Sequence, residues 1–137
     1  MVPDAQDNHN ELLILLIDDD TPLRTLLRLG LARHGFRICE AEDGEKGVDL
    51  FRTQKPDMVI TDLIMPNQEG LETIGLILEL DPEAKIIAMS GNVILPNGRE
   101  LSTASSLECA AEIGAKFIFQ KPFEMDELLA AVNSLRS

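Results

Sequence analysis

Positive charge is scarce in this sequence: 12 lysines and arginines stand against 24 aspartates and glutamates over 137 residues, a formal net charge of −12. Proteins that hold nucleic acid neutralise its phosphates with clustered Lys and Arg, so this balance argues against nucleic acid as a partner and against a DNA-binding module. Long apolar runs are missing too. The longest, residues 12–17, falls far short of the roughly 20 residues that cross a bilayer, so no membrane span is expected. Residues 1–10, MVPDAQDNHN, have neither the cationic start nor the apolar stretch of a signal peptide. They are expected to form a disordered tail, and with nothing directing export the expected location is the cytoplasm. Cysteine is limited to Cys39 and Cys109, which share no CxxC spacing and have no histidines nearby. They are expected as two small buried hydrophobes rather than as a zinc site or redox pair. Neither GxxxxGK[ST] nor GxGxxG occurs, which removes the usual glycine-rich phosphate loops of nucleotide binders.

What is present is apolar content in a regular rhythm. At 45% apolar residues, and with a length in the ~100–150-residue range of one domain, residues 11–137 are expected to fold as a single unit. Short runs rich in Ile, Val, Phe and Met recur at residues 12–17, 37–41, 58–61, 86–89 and 117–119, each followed by a polar or helical segment. Five strands therefore alternate with five helices. The first helix opens at Asp20-Thr21-Pro22, a cap followed by proline at the first helical position, buries Leu23, Leu26, Leu27 and Leu31, and ends near His34-Gly35. The second spans residues 44–53 with Val48 and Phe51 inward, the third 70–80 and the fourth 107–113. The last puts Met125, Leu128, Leu129, Val132 and Leu135 on one face. Such alternation with wholly apolar strands predicts an α/β fold: a doubly wound, five-stranded parallel sheet in the flavodoxin-like order 2-1-3-4-5, with helices on both faces.

In a sheet of this kind ligands gather at the carboxyl ends of the strands, near the point where the strand order reverses. The first strand runs into Asp18-Asp19 and the third into Asp62, and in this order the two strands are neighbours. Three carboxylates then converge on one crevice, where they repel one another unless a cation sits among them. A hard divalent ion is the natural neutraliser, and Mg²⁺ suits a few carboxylates, retained waters and a phosphate oxygen. Ser90 ends the fourth strand and Lys121 the fifth. A hydroxyl and an ammonium at the same rim complete a cradle for a phosphoryl group, whose oxygens need cationic and hydrogen-bonding partners. Asp20 is read as the helix cap rather than as a ligand, and His9 and His34 as exposed residues with no part in the chemistry.

The segments LLIDDDTPLR, PDMVITDLIMPNQEG, IIAMSG and FIFQKPF, in this order and register, resemble the receiver domain of two-component response regulators over roughly residues 12–135. The resemblance implies that Asp62 is the phosphoacceptor, that Asp19 and Asp62 bind Mg²⁺ directly and Asp18 mainly through water, and that the backbone carbonyl of Ile64 faces the metal. It also implies that the Ser90 hydroxyl meets the phosphoryl group, that Lys121 pairs with one of its oxygens, and that the Lys121–Pro122 peptide is cis. The donor is then a phosphohistidine on a sensor histidine kinase or a histidine phosphotransfer protein. The modification is a timed switch with no separate substrate turned over. Output is expected to pass to a downstream protein effector through the fourth helix, fifth strand and fifth helix, from a monomer or weak dimer.

Two rival readings meet obstacles in the residues. A phosphatase of the aspartyl-phosphate type needs a second acid two positions after its nucleophile, where this chain has Ile64. A receiver kept only for docking has no need of Asp18, Asp19, Asp62 and Lys121. Three departures from the receiver pattern stand out. Ile118 occupies the position, three before the lysine, where receivers commonly carry Tyr or Phe. On the third helix Leu71, Ile74 and Ile77 or Leu78 make the core face, while Leu76 and Leu80 lie on another side. The stretch from Asn92 to Ser106 is longer than one loop needs; Pro96-Asn97-Gly98 reads as a turn, and a tolerated surface insertion is the plain alternative to the partly packed lid over the phosphorylation site that Val93, Ile94 and Leu95 favour.

Overall fold

The computed structural model describes residues 12–63, 70–91, 93–94, 96–101 and 104–136. Along the chain lie β1 (Leu13–Ile17), α1 (Thr21–Ala32), β2 (Arg37–Ala41), α2 (Gly44–Gln54), β3 (Met58–Asp62), α3 (Gly70–Leu80), β4 (Ile86–Ser90), β5 (Val93–Ile94), β6 (Glu100–Leu101), α4 (Ala104–Ile113), β7 (Phe117–Gln120) and α5 (Met125–Leu135). Five strands pair in parallel in the order β2-β1-β3-β4-β7, the expected 2-1-3-4-5 with β7 as the fifth strand. The three central strands are buried almost throughout, as strands covered by helices on both faces must be.

Alternation along each strand divides the core between the two faces. Leu15, Ile17, Val59, Ile86 and Ala88 pack with Val48 and Phe51 of α2, Ile74 and Ile77 of α3, and Leu107 and Ala110 of α4. Ile14, Leu16, Met58, Ile60, Ile87 and Met89 pack with Leu27 and Leu31 of α1 and Leu128, Leu129 and Val132 of α5. Fully burying one such side chain contributes about 1.5–3 kcal/mol relative to leaving it exposed. The strand ends are thus anchored by tightly filled layers directly beneath them. Helix entry is fixed by side-chain caps: Asp20 Oδ1 accepts from Leu23 N at 3.1 Å and Asp43 Oδ1 from Lys46 N at 2.8 Å.

Several expectations need correction. Leu26 is 62% exposed, because α1 carries five leucines between positions 23 and 31 and a helix face directed at one sheet cannot bury them all. Leu27 and Leu31 take the core positions. Residue 26 lies about 100° around the helix from residue 27, and it shares an apolar groove with Leu29, Phe123 and Met125. Cys109 is exposed, on the outer side of α4 beside the buried Ala110, while Cys39 is partly buried and packs against the core, so only Cys39 approaches the expected role. Helix α4 starts at Ala104, three residues earlier than expected. The stretch after β4 contains two short strands of its own, β5 and β6, paired antiparallel with Val93 opposite Leu101, and its exposed turn includes Gly98 at φ +85°. Leu76 and Leu80 are exposed while Ile74 and Ile77 are buried, as expected, and His34 is exposed. The tail of residues 1–10, His9, the Ile64 carbonyl and the side chains of residues 93–95 lie outside the described residues.

Candidate functional site

Asp18 directly follows β1 and is fully buried. Its amide donates to Ala41 O at 3.1 Å, which carries the β1–β2 ladder one step past the strand. Its carbonyl oxygen accepts from Arg24 Nη1 at 2.6 Å, Oδ1 accepts from Asp20 N at 2.9 Å, and Oδ2 accepts from Lys121 Nζ at 3.2 Å. Asp19, the next residue, is exposed. Asp62 is the last residue of β3 and pairs across the ladder with Met89, so the sheet itself sets its height. Its carbonyl accepts from Thr61 Oγ1 at 3.0 Å, and Oδ2 accepts from Lys121 Nζ at 3.3 Å. Each of Asp18, Asp19 and Asp62 offers a carboxylate oxygen, and these three atoms lie within 4.8 Å of one another.

Lys121 reaches this cluster from the far side of the rim. Its backbone N donates to Ser90 O at 2.7 Å, and the Lys121–Pro122 peptide is cis, as the resemblance implies. The ammonium then bridges the Oδ2 atoms of two buried carboxylates. Burial is the largest influence on its pKa and acts downward. The charges of Asp62 and Asp18, with their hydrogen bonds, act upward and together prevail, so the pKa ends above the ordinary 10.5. Three carboxylates against one ammonium leave two formal negative charges in the crevice. A compact set of hard oxygen donors with that residual charge fits a divalent cation of the Mg²⁺ kind.

Ser90 stands on the same rim, at the end of β4 and fully buried. Its Oγ lies 3.5 Å from Gly91 O, and among the described residues no hydrogen bond joins it to the acidic cluster. The structure therefore brings Asp18, Asp19, Asp62 and Lys121 together and leaves Ser90 at the edge of the group. Reading the sequence missed two neighbours of the site. Arg24 was seen only as part of α1, and its hold on Asp18 O depends on where β2 lies. Gly70, the first residue of α3, could have been suspected, since glycine is a poor choice for a helix. A Cβ there would sit 2.3 Å from Leu63 Cα and 2.5 Å from Asp62 O, so only glycine lets α3 begin this close to the end of β3.

The family profile of the response regulator receiver domain matches residues 14–133. The chain belongs to this family. The receiver is 31% identical over 121 residues to the chemotaxis protein CheY of Bacillus subtilis (strain 168), which covers 88% of this chain and 93% of that protein. It is 30% identical over 122 residues to the response regulator MprA of Mycolicibacterium vanbaalenii, covering 89% of this chain and 49% of that protein, so it spans about half of that relative. The crystal structure of a response regulator receiver domain protein from Clostridium thermocellum superposes with a TM-score of 0.81 at 24% identity, over 90% of this chain and 93% of that one, and so shares the fold. Receiver domains act as phosphoacceptors and signal switches in two-component signalling. No helix among the described residues is long and apolar enough to cross a membrane.

Proposed function

We propose that this receiver takes a phosphoryl group onto Asp62 from a phosphohistidine on a sensor histidine kinase or histidine phosphotransfer protein, with Mg²⁺ as cofactor. The observation that carries the reading is the Lys121 ammonium bridging Asp18 and Asp62, at 3.2 and 3.3 Å, with Asp19 beside them. Nucleophile, fixed cation and a place for a second cation share one crevice. When bound, Mg²⁺ neutralises the incoming phosphoryl oxygens. An Asp62 carboxylate oxygen attacks phosphorus, the P–N bond to the donor imidazole breaks, and the imidazole leaves with the bonding electrons and takes up a proton. An acyl phosphate remains on Asp62. Lys121, held protonated by its carboxylate neighbours, pairs with a phosphoryl oxygen, and the Ser90 hydroxyl donates to another.

Asp19 and Asp62 would hold the ion directly, Asp18 mainly through water, and the Ile64 carbonyl would add a further ligand, as the receiver resemblance implies. Attack by water later releases inorganic phosphate and resets the switch, with no separate substrate turned over. Residues 11–137 are the working unit and residues 1–10 its tail. The protein acts in the cytoplasm as a monomer or weak dimer, away from nucleic acid and membrane. It hands its signal to a protein effector through the face of α4, β7 and α5, by a change of conformation. Incubation with acetyl phosphate and Mg²⁺ followed by intact-mass measurement tests the assignment. The parent protein gains one phosphoryl group and Asp62→Asn, equally folded by circular dichroism, gains none. Full labelling of Asp62→Asn would overturn it.

A further inference from the structure

Asp18 and Asp19 are adjacent in the chain and are held in opposite ways. Asp18 is tied at its amide, its carbonyl and both carboxylate oxygens. The Asp19 carboxylate is exposed, and no hydrogen bond among the described residues holds it, so what places it is its backbone, which sets the Cα–Cβ direction from which it reaches the rim. That backbone starts with the Asp18–Asp19 peptide, whose carbonyl oxygen is gripped by Arg24 Nη1 at 2.6 Å. Arg24 is itself fixed. Its Nε donates to Glu40 Oε1 at 2.9 Å, and the other Glu40 oxygen is engaged by Arg28 Nε at 3.1 Å. The Arg24 side chain is only 15% exposed and Glu40 30%, so the linkage from α1 through β2 to the strand-end rim is partly shielded from water.

We infer that Arg24 is a positioning residue for the Mg²⁺ site: its guanidinium orients the Asp18–Asp19 peptide so that the Asp19 carboxylate faces Asp62. This inference rests on the Mg²⁺ reading above. The guanidinium suits the task because its planar fork makes two fixed contacts in different directions, one to the Glu40 carboxylate and one to the Asp18 carbonyl. A lysine ammonium is a point charge on a flexible stem and cannot hold both partners in one geometry. An ordinary α1–β2 ion pair would be complete with Arg28 and Glu40. The additional contact to a carbonyl at the site is what such a pair leaves unexplained. Groups that orient metal ligands from outside typically change metal affinity by about 10–100-fold when removed.

The test is calorimetric titration of Mg²⁺ alone into the unphosphorylated full chain at fixed ionic strength, alongside thermal melts in Mg²⁺-free buffer. Arg24→Met is expected to weaken Mg²⁺ binding by about tenfold. Arg24→Lys keeps the charge and loses the fork, and is expected to fall by at least about threefold. Arg28→Met removes a like charge from the same helix and the same Glu40 without touching Asp18 O, and is expected to stay within about twofold of the parent. Parent-like affinity in Arg24→Met would overturn the inference. So would parent-like affinity in Arg24→Lys, because the fork would then not matter, or an equal loss in Arg28→Met, because the contact to Asp18 O would then not be what carries the effect. If Arg24→Met melts below the titration temperature, Glu40→Gln carries the test: it frees Arg24 from its anchor and should weaken Mg²⁺ by about threefold, and unchanged affinity would overturn the inference. A parent protein that takes up no Mg²⁺ would overturn the metal reading and this inference with it, whereas Mg²⁺ uptake by the parent and equally by Arg24→Met would overturn only the inference.

Discussion

On the β1–β3 side of the rim, Asp18 is tied at four atoms and Asp62 sits inside the sheet ladder, both sharing the Lys121 ammonium. On the β4–β7 side Ser90 is just as buried, yet its hydroxyl has only a 3.5 Å approach to its neighbour's carbonyl. Ile118 is 39% exposed there, and a hairpin of two two-residue strands follows within three residues of Ser90. A transfer reaction needs its nucleophile and cations aligned beforehand, since reorganising charged groups in the transition state raises the barrier. A switch needs some element that can still move. On the function proposed above, the tied side would meet the first requirement and the looser side the second; Lys121 joins them, through its backbone to β4 and through its side chain to the acids.

The sharpest way to break this division is Lys121→Met. It leaves two buried carboxylates without their shared cation, and removing one member of a buried pair costs about 3 kcal/mol or somewhat less at this partly exposed lysine. Urea unfolding at neutral pH should show the loss, and added Mg²⁺ should recover more stability in the variant than in the parent, because the ammonium no longer competes for Asp18 and Asp62. The folded pKa of Lys121 lies above the ordinary 10.5. Its contribution is therefore complete below 10.5 and fades as pH rises through the folded value. The stability gap between parent and variant should stay constant across neutral pH and close in strong alkali.

Ser90→Ala tests the other side. It should slow labelling of Asp62 by acetyl phosphate by roughly tenfold, the worth of one hydrogen bond to a charged group, while Mg²⁺ affinity in a direct titration stays at the parent value. A fall in Mg²⁺ affinity would show that the two sides are not separable. The smallest effect is expected from the hairpin. Replacing residues 93–102 by a short linker should change the half-life of phosphorylated Asp62 several-fold at matched Mg²⁺ without unfolding the domain, because added or removed loop length costs little. Equal half-lives would leave the hairpin with no part in the chemistry.

Asp18, Asp19, Asp62 and Lys121 were legible because each lies within two residues of the end of an apolar run, and a parallel sheet carries such positions to one edge. The fold order was legible for the same reason. Arg24 was not, because nothing in a helix sequence says that its first-turn arginine will meet a glutamate 16 positions on; that needs the placement of β2 beside β1. Leu26 was misread because a leucine-rich helix has more apolar positions than its buried face, and periodicity alone does not say which are surplus. The strands β5 and β6 are two residues each, too short for any alternation to register, although the turn between them was visible in Pro96-Asn97-Gly98.

In ion-exchange terms, the crevice is a resin of three fixed anions with one counterion, the Lys121 ammonium, attached to the same matrix. A monovalent guest entering beside that tethered charge still leaves one anion uncompensated, and a trivalent guest overshoots, while a divalent one closes the balance. Selection by valence thus precedes any selection by ionic radius. Because the resident counterion is tethered, any movement a guest imposed on it would be limited by the length of its own side chain, and it would not have to be recaptured from solution.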